Sequence, residues 1–250
     1  MSPDPIDETP RDADDALVAR EGASHTINSE RQRGSIDGLL SDAAHRVLLD
    51  VLERSAGYGF LGPGPAENQL HHASHMGRVA AGLIEPGGQL LDLGSGGGVP
   101  GLVIACQIPT SRVTLIDSQE RRCAFLREAA EQLKSELGID CSVEQGRAEL
   151  LGRRPDLDGA FQTVVARSFG PPAVVAECAA RFIGPDGYLV VAEPPNSDGA
   201  RWDAIGLNTL GLALRSAVTS PVACTITQRT GVLDDRFPRR DGVPRRKPLW

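Results

Sequence analysis

Aromatic residues are scarce in this 250-residue chain, at 4% of the total, which argues against base stacking on an exposed sheet. Lysine is scarcer still. Lys134 and Lys247 stand alone among arginines, a bias that fits genome composition better than function. The five cysteines, Cys106, Cys123, Cys141, Cys178 and Cys224, are scattered and form no CxxC pair. They read as reduced, core-filling thiols. Long apolar runs are missing too. The longest stretch without a charge, Leu93 to Ser111, holds five glycines and two prolines, which no membrane span would carry. Met1 to Arg20 is acidic and lacks the apolar centre of a signal peptide. The expectation is a cytoplasmic protein with no membrane partner. There is no GxSxG and no HExxH, and no spacing nominates a Cys–His pair. His72 and His75 lie three apart on a predicted helix, yet no acid or cysteine nearby completes a metal site, so ordinary helix histidines are expected and no metal.

What remains suffices for one large domain. With 40% hydrophobic residues, a chain this long buries a core without disulfides or metal. Its charge is uneven. Residues 1–21 carry −5 and residues 236–250 carry +5, which leaves −7 on the body. An acidic body weighs against a general nucleic-acid binder, while a basic tail still permits local docking on RNA.

Residues 1–34 are polar and acidic, and predict a disordered leader. Residues 35–86 predict a helical region. Leu39, Leu40, Ala43, Val47, Leu48, Val51 and Leu52 recur at three and four to near Gly57, and a second helix is expected over Ala66–Ile84. Residues 87–230 alternate strand and helix. Strands are expected at Gln89–Leu93, Arg112–Ile116, Cys141–Gln145, Phe161–Ala166, Tyr188–Ala192, Leu212–Thr219 and Ala223–Gln228. Helices are expected at Pro100–Gln107, Gln119–Leu137, Pro172–Phe182 and Ala200–Thr209. This is the rhythm of an α/β fold with a mostly parallel seven-stranded sheet and helices on both faces. Two consecutive strands at its end suggest an antiparallel insertion. Residues 231–250 form a basic C-terminal tail.

The informative segment is Asp92-Leu93-Gly94-Ser95-Gly96-Gly97-Gly98-Val99-Pro100-Gly101. It leaves a strand, turns through glycines and enters a helix, bringing backbone N–H groups close to a ligand. The next strand ends at Asp117, where a carboxylate can accept both ribose hydroxyls. Two ligands compete. Gly96-x-Gly98-x-x-Gly101 fits a dinucleotide fingerprint, with Asp117 about 20 residues on. The registration Asp92-x-Gly94-x-Gly96-x-Gly98 instead puts an acid at the strand tip. A carboxylate repels a pyrophosphate and attracts a sulfonium and an ammonium. The sign of Asp92 therefore favours S-adenosyl-L-methionine. A tight turn that binds nothing is the bland alternative.

Several motifs together resemble the bacterial 16S ribosomal RNA guanine-N7 methyltransferase G family, also called glucose-inhibited division protein B. They are the glycine turn with its Val99-Pro100-Gly101 continuation, Leu115-Ile116-Asp117-Ser118, Arg121-Arg122 with Phe125-Leu126, Gly146-Arg147-Ala148-Glu149, Ala166-Arg167-Ser168, and Arg236-Phe237-Pro238-Arg239-Arg240. The resemblance implies a Rossmann-like class I methyltransferase with an N-terminal helical extension. Gly94 and Val99 would line the donor pocket, Asp117 would meet the ribose, and Ala148 and Glu149 would flank the adenine. Arg167, at a strand tip, would face donor and acceptor and is the nearest candidate for a catalytic group. Arg236, Arg239 and Arg240 would hold RNA phosphates, since forked guanidinium groups suit phosphate. The implied partner is 16S ribosomal RNA or the 30S particle, with the enzyme a monomer.

Two departures stand out. The family's Asn-Leu-Thr segment has no equivalent around Tyr58 to Gln69, and Glu193-Pro194-Pro195 replaces a lysine and glycine after the fifth strand. The second swap is expected to reverse the charge where RNA would approach. It keeps open a small-molecule acceptor, as the first keeps open a silent relative that only binds donor or RNA. N7 of guanine has a free lone pair and loses no proton when attacked, so the missing acid–base pair is consistent with this chemistry.

Overall fold

The computed structural model describes residues 40–195 and 197–250. The acidic leader expected over residues 1–34 lies outside them. Helix α1 (Asp42–Gly57) starts where the Ser41 hydroxyl accepts the Ala44 N–H at 3.1 Å, and it buries Val47, Leu48, Val51 and Leu52. Helix α2 (Ala66–Ala81) stops three residues before the expected Ile84, at the Gly82 cap. Strand β1 (Gln89–Leu93), helix α3 (Gly101–Gln107), strand β2 (Arg112–Asp117) and helix α4 (Glu120–Leu137) follow. Helix α4 ends on Gly138, whose φ of 70° is left-handed. Next come β3 (Cys141–Gln145), α5 (Ala148–Leu151), β4 (Phe161–Ala166), α6 (Pro172–Ala180) and β5 (Ile183–Ala192). The chain closes with α7 (Ala204–Thr209), β6 (Leu212–Val218), β7 (Cys224–Arg229) and α8 (Val243–Arg246).

The strands form one sheet in the order β3-β2-β1-β4-β5-β7-β6. All pairs from β3 to β5 are parallel, and β7 runs antiparallel between β5 and β6. Alternate residues of each strand feed opposite faces. Leu90, Leu115, Val165 and Val190 pack with α1 to α4, while Leu91, Ile116, Val164 and Leu189 pack with α6 and α7. The N-terminal helices thus share one core with the sheet. Strand β5 starts five residues before the expected Tyr188. Its Gly184-Pro185-Asp186-Gly187 segment reads as a turn but forms an irregular strand, where the pairing with β4 shifts register and Asp186 takes a φ of 58°. Helix α7 starts late because Asp203 caps it, accepting Gly206 N–H at 2.6 Å. The five cysteines are free thiols. Burial pushes Cys106 and Cys224 up to about 12, which keeps both protonated and unreactive.

The segment after β7, expected as a tail, folds back. Phe237 is buried, with its carbonyl accepting Arg181 Nε at 2.8 Å, and Arg153 Nη2 donates to the Pro238 carbonyl at 2.8 Å. No helix among the described residues is long and apolar enough to cross a membrane.

Candidate functional site

Strand order reverses between β1 and β4, and there the carboxyl ends of a parallel sheet open a crevice. Two adjoining cavities occupy it, of about 240 and 630 Å³. They share Gly94, Arg122, Ser168 and Phe169 in their walls.

The smaller cavity is lined by Asp117, Ala148 and Glu149 among others. Asp117 ends β2 and is held rigidly. Its Oδ2 accepts Gly96 N–H at 3.0 Å and its Oδ1 accepts Gln119 N–H at 2.8 Å, with Arg122 Nη1 3.6 Å from Oδ2. Glu149 sits in the first turn of α5 and is buried, so it is not the solvated acid that a short helix start suggests. Its Oε1 accepts Arg147 Nη2 at 3.3 Å and Gly242 N–H at 3.0 Å. The C-terminal segment therefore braces this wall, and Arg245 joins the lining.

The larger cavity takes Gly96 and Val99 from the glycine turn, Arg167 from the tip of β4, and Glu193, Pro194 and Arg201 from beyond β5. It also takes Phe60, Gln69 and His72 from the N-terminal helices and the loop joining them. Arg167 is mostly buried, and its Nη2 donates to Gln69 Oε1 at 2.7 Å. Burial lowers its pKa, with the Asp92 charge opposing that shift. Burial also lowers the pKa of His72, helped by Arg167, and favours a neutral ring whose Nδ1 is buried without a hydrogen-bond partner among the described residues. His72 thus lines the site, although its spacing alone gave it no role.

Gly94 has a φ of 74°, and a Cβ there would lie 2.6 Å from the Phe169 ring. Ser168 shares the left-handed region, with a φ of 56°, which is rare for a residue with a side chain. That kink after Arg167 sets Phe169 across the glycine turn, between the two cavities.

Three expected site residues stand differently from their sequence reading. Asp92 lines neither cavity. It is fully buried in β1, beneath the turn, where Oδ2 accepts Gly101 N–H at 2.9 Å and Oδ1 has no partner among the described residues. Burial pushes its carboxyl up to about 7, against the pull of the Gly101 N–H and of Arg167. Its charge therefore faces no cavity, and it bears on the choice of ligand only through the turn it holds. A diphosphate would need the free N–H groups that open α3, and Asp92 already occupies the first of them. Arg239, expected on RNA, is instead bonded to the buried Glu177 through Nε at 2.8 Å and Nη2 at 2.6 Å. Arg236 and Arg240 remain exposed. Glu193 does not present a bare charge at the rim. It is buried, accepting Trp202 Nε1 at 2.8 Å, Ser197 Oγ at 3.0 Å and Arg201 Nη1 at 3.0 Å. Among the described residues, no group of three or more His, Cys, Asp or Glu could hold a metal ion.

Sequence reasoning assigned no role to Gln69, Arg122, Phe169 or Arg201. Arg122 lies inside the Arg121-Arg122 motif and Phe169 directly follows Ala166-Arg167-Ser168, so their position was a usable signal. Gln69 and Arg201 carried none.

The sheet order and the glycine-turn crevice at its switch point define a Rossmann-like class I methyltransferase. The model of the family described as rRNA small subunit methyltransferase G matches residues 77–194. The ribosomal RNA small subunit methyltransferase G of Pelotomaculum thermopropionicum is 31% identical over 187 residues, covering 72% of this chain and 77% of that protein. The protein of the same name from Deinococcus radiodurans is 31% identical over 189 residues, covering 72% and 73%. Among solved structures, a branched-chain polyamine synthase variant from Thermus thermophilus shares the fold, with a TM-score of 0.55 at 16% identity over 80% of this chain and 66% of that one. The chain belongs to the ribosomal RNA small subunit methyltransferase G family.

Proposed function

We propose that this protein transfers a methyl group from S-adenosyl-L-methionine to N7 of a guanine in the 16S ribosomal RNA of the small subunit. The methyltransferase core is assigned to residues 87–230, with residues 35–86 as its helical extension. The observation that carries the reading is the pairing of family membership with a crevice whose two halves suit a nucleoside and an acceptor base. The donor fits the residues present. Gly94 brings backbone without a side chain to both cavities, Asp117 offers a fixed carboxylate to a diol, and Glu149 with the Ala148 N–H meets an adenine edge. When bound, the donor supplies a methyl group on a cationic sulfur.

Everything else is positioning by the chain. Asp117, tied by two backbone N–H groups, sets the ribose. The turn Gly94 to Val99 seats the amino-acid end, with Asp92 holding that turn against α3 from below. Arg167, fixed by Gln69, faces the acceptor without needing to take a proton, because N7 brings a lone pair and gives up none. Alignment of this kind supplies roughly 7–11 kcal/mol in well-oriented cases. Arg236 and Arg240 are assigned to RNA phosphates, and Arg239 to holding the segment that carries them.

Methyl transfer to 30S particles lacking the mark, followed by mass-spectrometric mapping, tests the reading. A new N7-methylguanine in 16S RNA is expected. No transfer to the particle, with transfer to a metabolite pool, would overturn it. The small-molecule alternative rests on the acidic body and on Glu193, and the second of these supports weakens because Arg201 pairs with that carboxylate.

A further inference from the structure

Beyond β5 the chain builds a small polar device that the proposed reaction has not yet used. Glu193 is the first residue after the strand, and its side chain is 3% exposed. Such a carboxylate is costly unless every lone pair finds a donor. Here Oε1 takes the Trp202 indole, and Oε2 takes the Ser197 hydroxyl and the Arg201 guanidinium. Trp202 is itself buried and cannot swing away. The Arg201 backbone is pinned from the other side, its carbonyl accepting Trp250 Nε1 at 3.2 Å. That indole packs so closely on α7 that a Cβ at Gly206 would lie 2.1 Å from the ring.

The result is an arginine with a fixed root and a guided head. Its side chain is 47% exposed in the wall of the larger cavity. Nη1 is the one Arg201 side-chain nitrogen bonded among the described residues. An arginine carries five N–H donors in a planar fork, so the remainder face solvent and the cavity. Glu193 holds the guanidinium through Nη1 alone, which leaves the rest of the fork for an incoming anion.

We infer that Arg201 is a phosphate contact of the acceptor RNA, aimed by Glu193 and gripping the backbone beside the target guanine. The inference rests on the rRNA reading above. An RNA phosphate is favoured over the donor's own carboxylate by position. The donor's amino-acid end belongs at the glycine turn after β1, whereas Arg201 stands beyond β5 with half its side chain in solvent. Arg201 also supplies, from a loop, a cation at the rim where the chain itself places an acid. Glu193 is a positioning residue in this scheme, acting through Arg201.

The test uses the full chain and 30S particles lacking the mark, with S-adenosylhomocysteine binding as the control for an intact site. For Arg201→Gln, KM for the particle should rise about tenfold, as for one lost charged hydrogen bond. The slope of log kcat/KM against log salt should become shallower by about one, as for one lost phosphate contact. S-adenosylhomocysteine affinity should not change. Arg201→Lys should keep the salt slope. Glu193→Gln should raise KM while also keeping it, because the charge persists and only its aim is lost. An unchanged salt slope in Arg201→Gln overturns the inference, as does a matching loss of S-adenosylhomocysteine affinity, which would put Arg201 on the donor. If the unmutated chain fails to methylate the particle, the functional reading falls and takes this one with it, so the two failures are told apart.

Discussion

Arg239 lays its guanidinium along the Glu177 carboxylate, with Nε 2.8 Å from Oε1 and Nη2 2.6 Å from Oε2. Glu177 lies fully inside α6, and the Arg239 backbone N–H also reaches its Oε1, at 2.9 Å. A bidentate pair of this kind fastens the C-terminal segment to the core.

Arg239→Ala strands a buried charge and should therefore cost about 3–5 kcal/mol of stability. Arg236 is exposed and pairs with Asp234 at 3.5 Å, so Arg236→Ala should cost less than about 1 kcal/mol. Urea midpoints of the two variants check the contrast. Equal midpoints would mean that the segment is not anchored through Glu177.

Asp92 makes stability depend on pH. Its folded carboxyl sits at about 7, above the ordinary 3.8, so the native state holds the extra proton between those values. Stability from this group is complete below about pH 4 and is lost as pH rises through about 7. Asp92→Asn keeps an acceptor for Gly101 N–H and removes the ionisation. Urea denaturation across this window should show a flatter pH dependence in the variant than in the unmutated chain.

Asp117→Ala removes the carboxylate assigned to the ribose. It should weaken S-adenosylhomocysteine binding by about 1–3 kcal/mol, read by calorimetry. Unchanged affinity would move the ribose elsewhere.

Gly94→Ala should abolish measurable S-adenosylhomocysteine binding, since the new methyl meets Phe169 at 2.6 Å in a backbone whose φ is 74°. Adding Phe169→Ala relieves the clash but not the left-handed backbone, which costs roughly 1–2 kcal/mol for a residue with a side chain. The double variant should regain part of the binding, and full recovery would contradict the geometry.

The legible parts of the sequence were those with a period or a local motif. Helix α1 announced itself by Val47, Leu48, Val51 and Leu52, and β4 by Val164, Val165 and Ala166 behind Phe161. The glycine turn and Asp117 were legible as motifs, and the structure puts Gly94, Asp117, Ala148 and Glu149 around one cavity. Helices α5 and α8 have four residues each, too few to show a helical period. The start of β5 was hidden by turn residues used inside a strand. Charge pairs were least legible. Arg239 meets Glu177 across 62 positions and Gly242 meets Glu149 across 93, and no spacing rule links residues so far apart. Glu193 looked like a charge reversal because sequence displays the acid without the three donors that cover it.

The bond from Gly242 N–H to Glu149 Oε1 has a consequence for synthesis. Every strand of the sheet precedes Gly242 in the chain, so the seven strands do not themselves contain the residue that braces this wall of the smaller cavity. A chain cut short just before that glycine during synthesis would carry all seven strands and lack the brace.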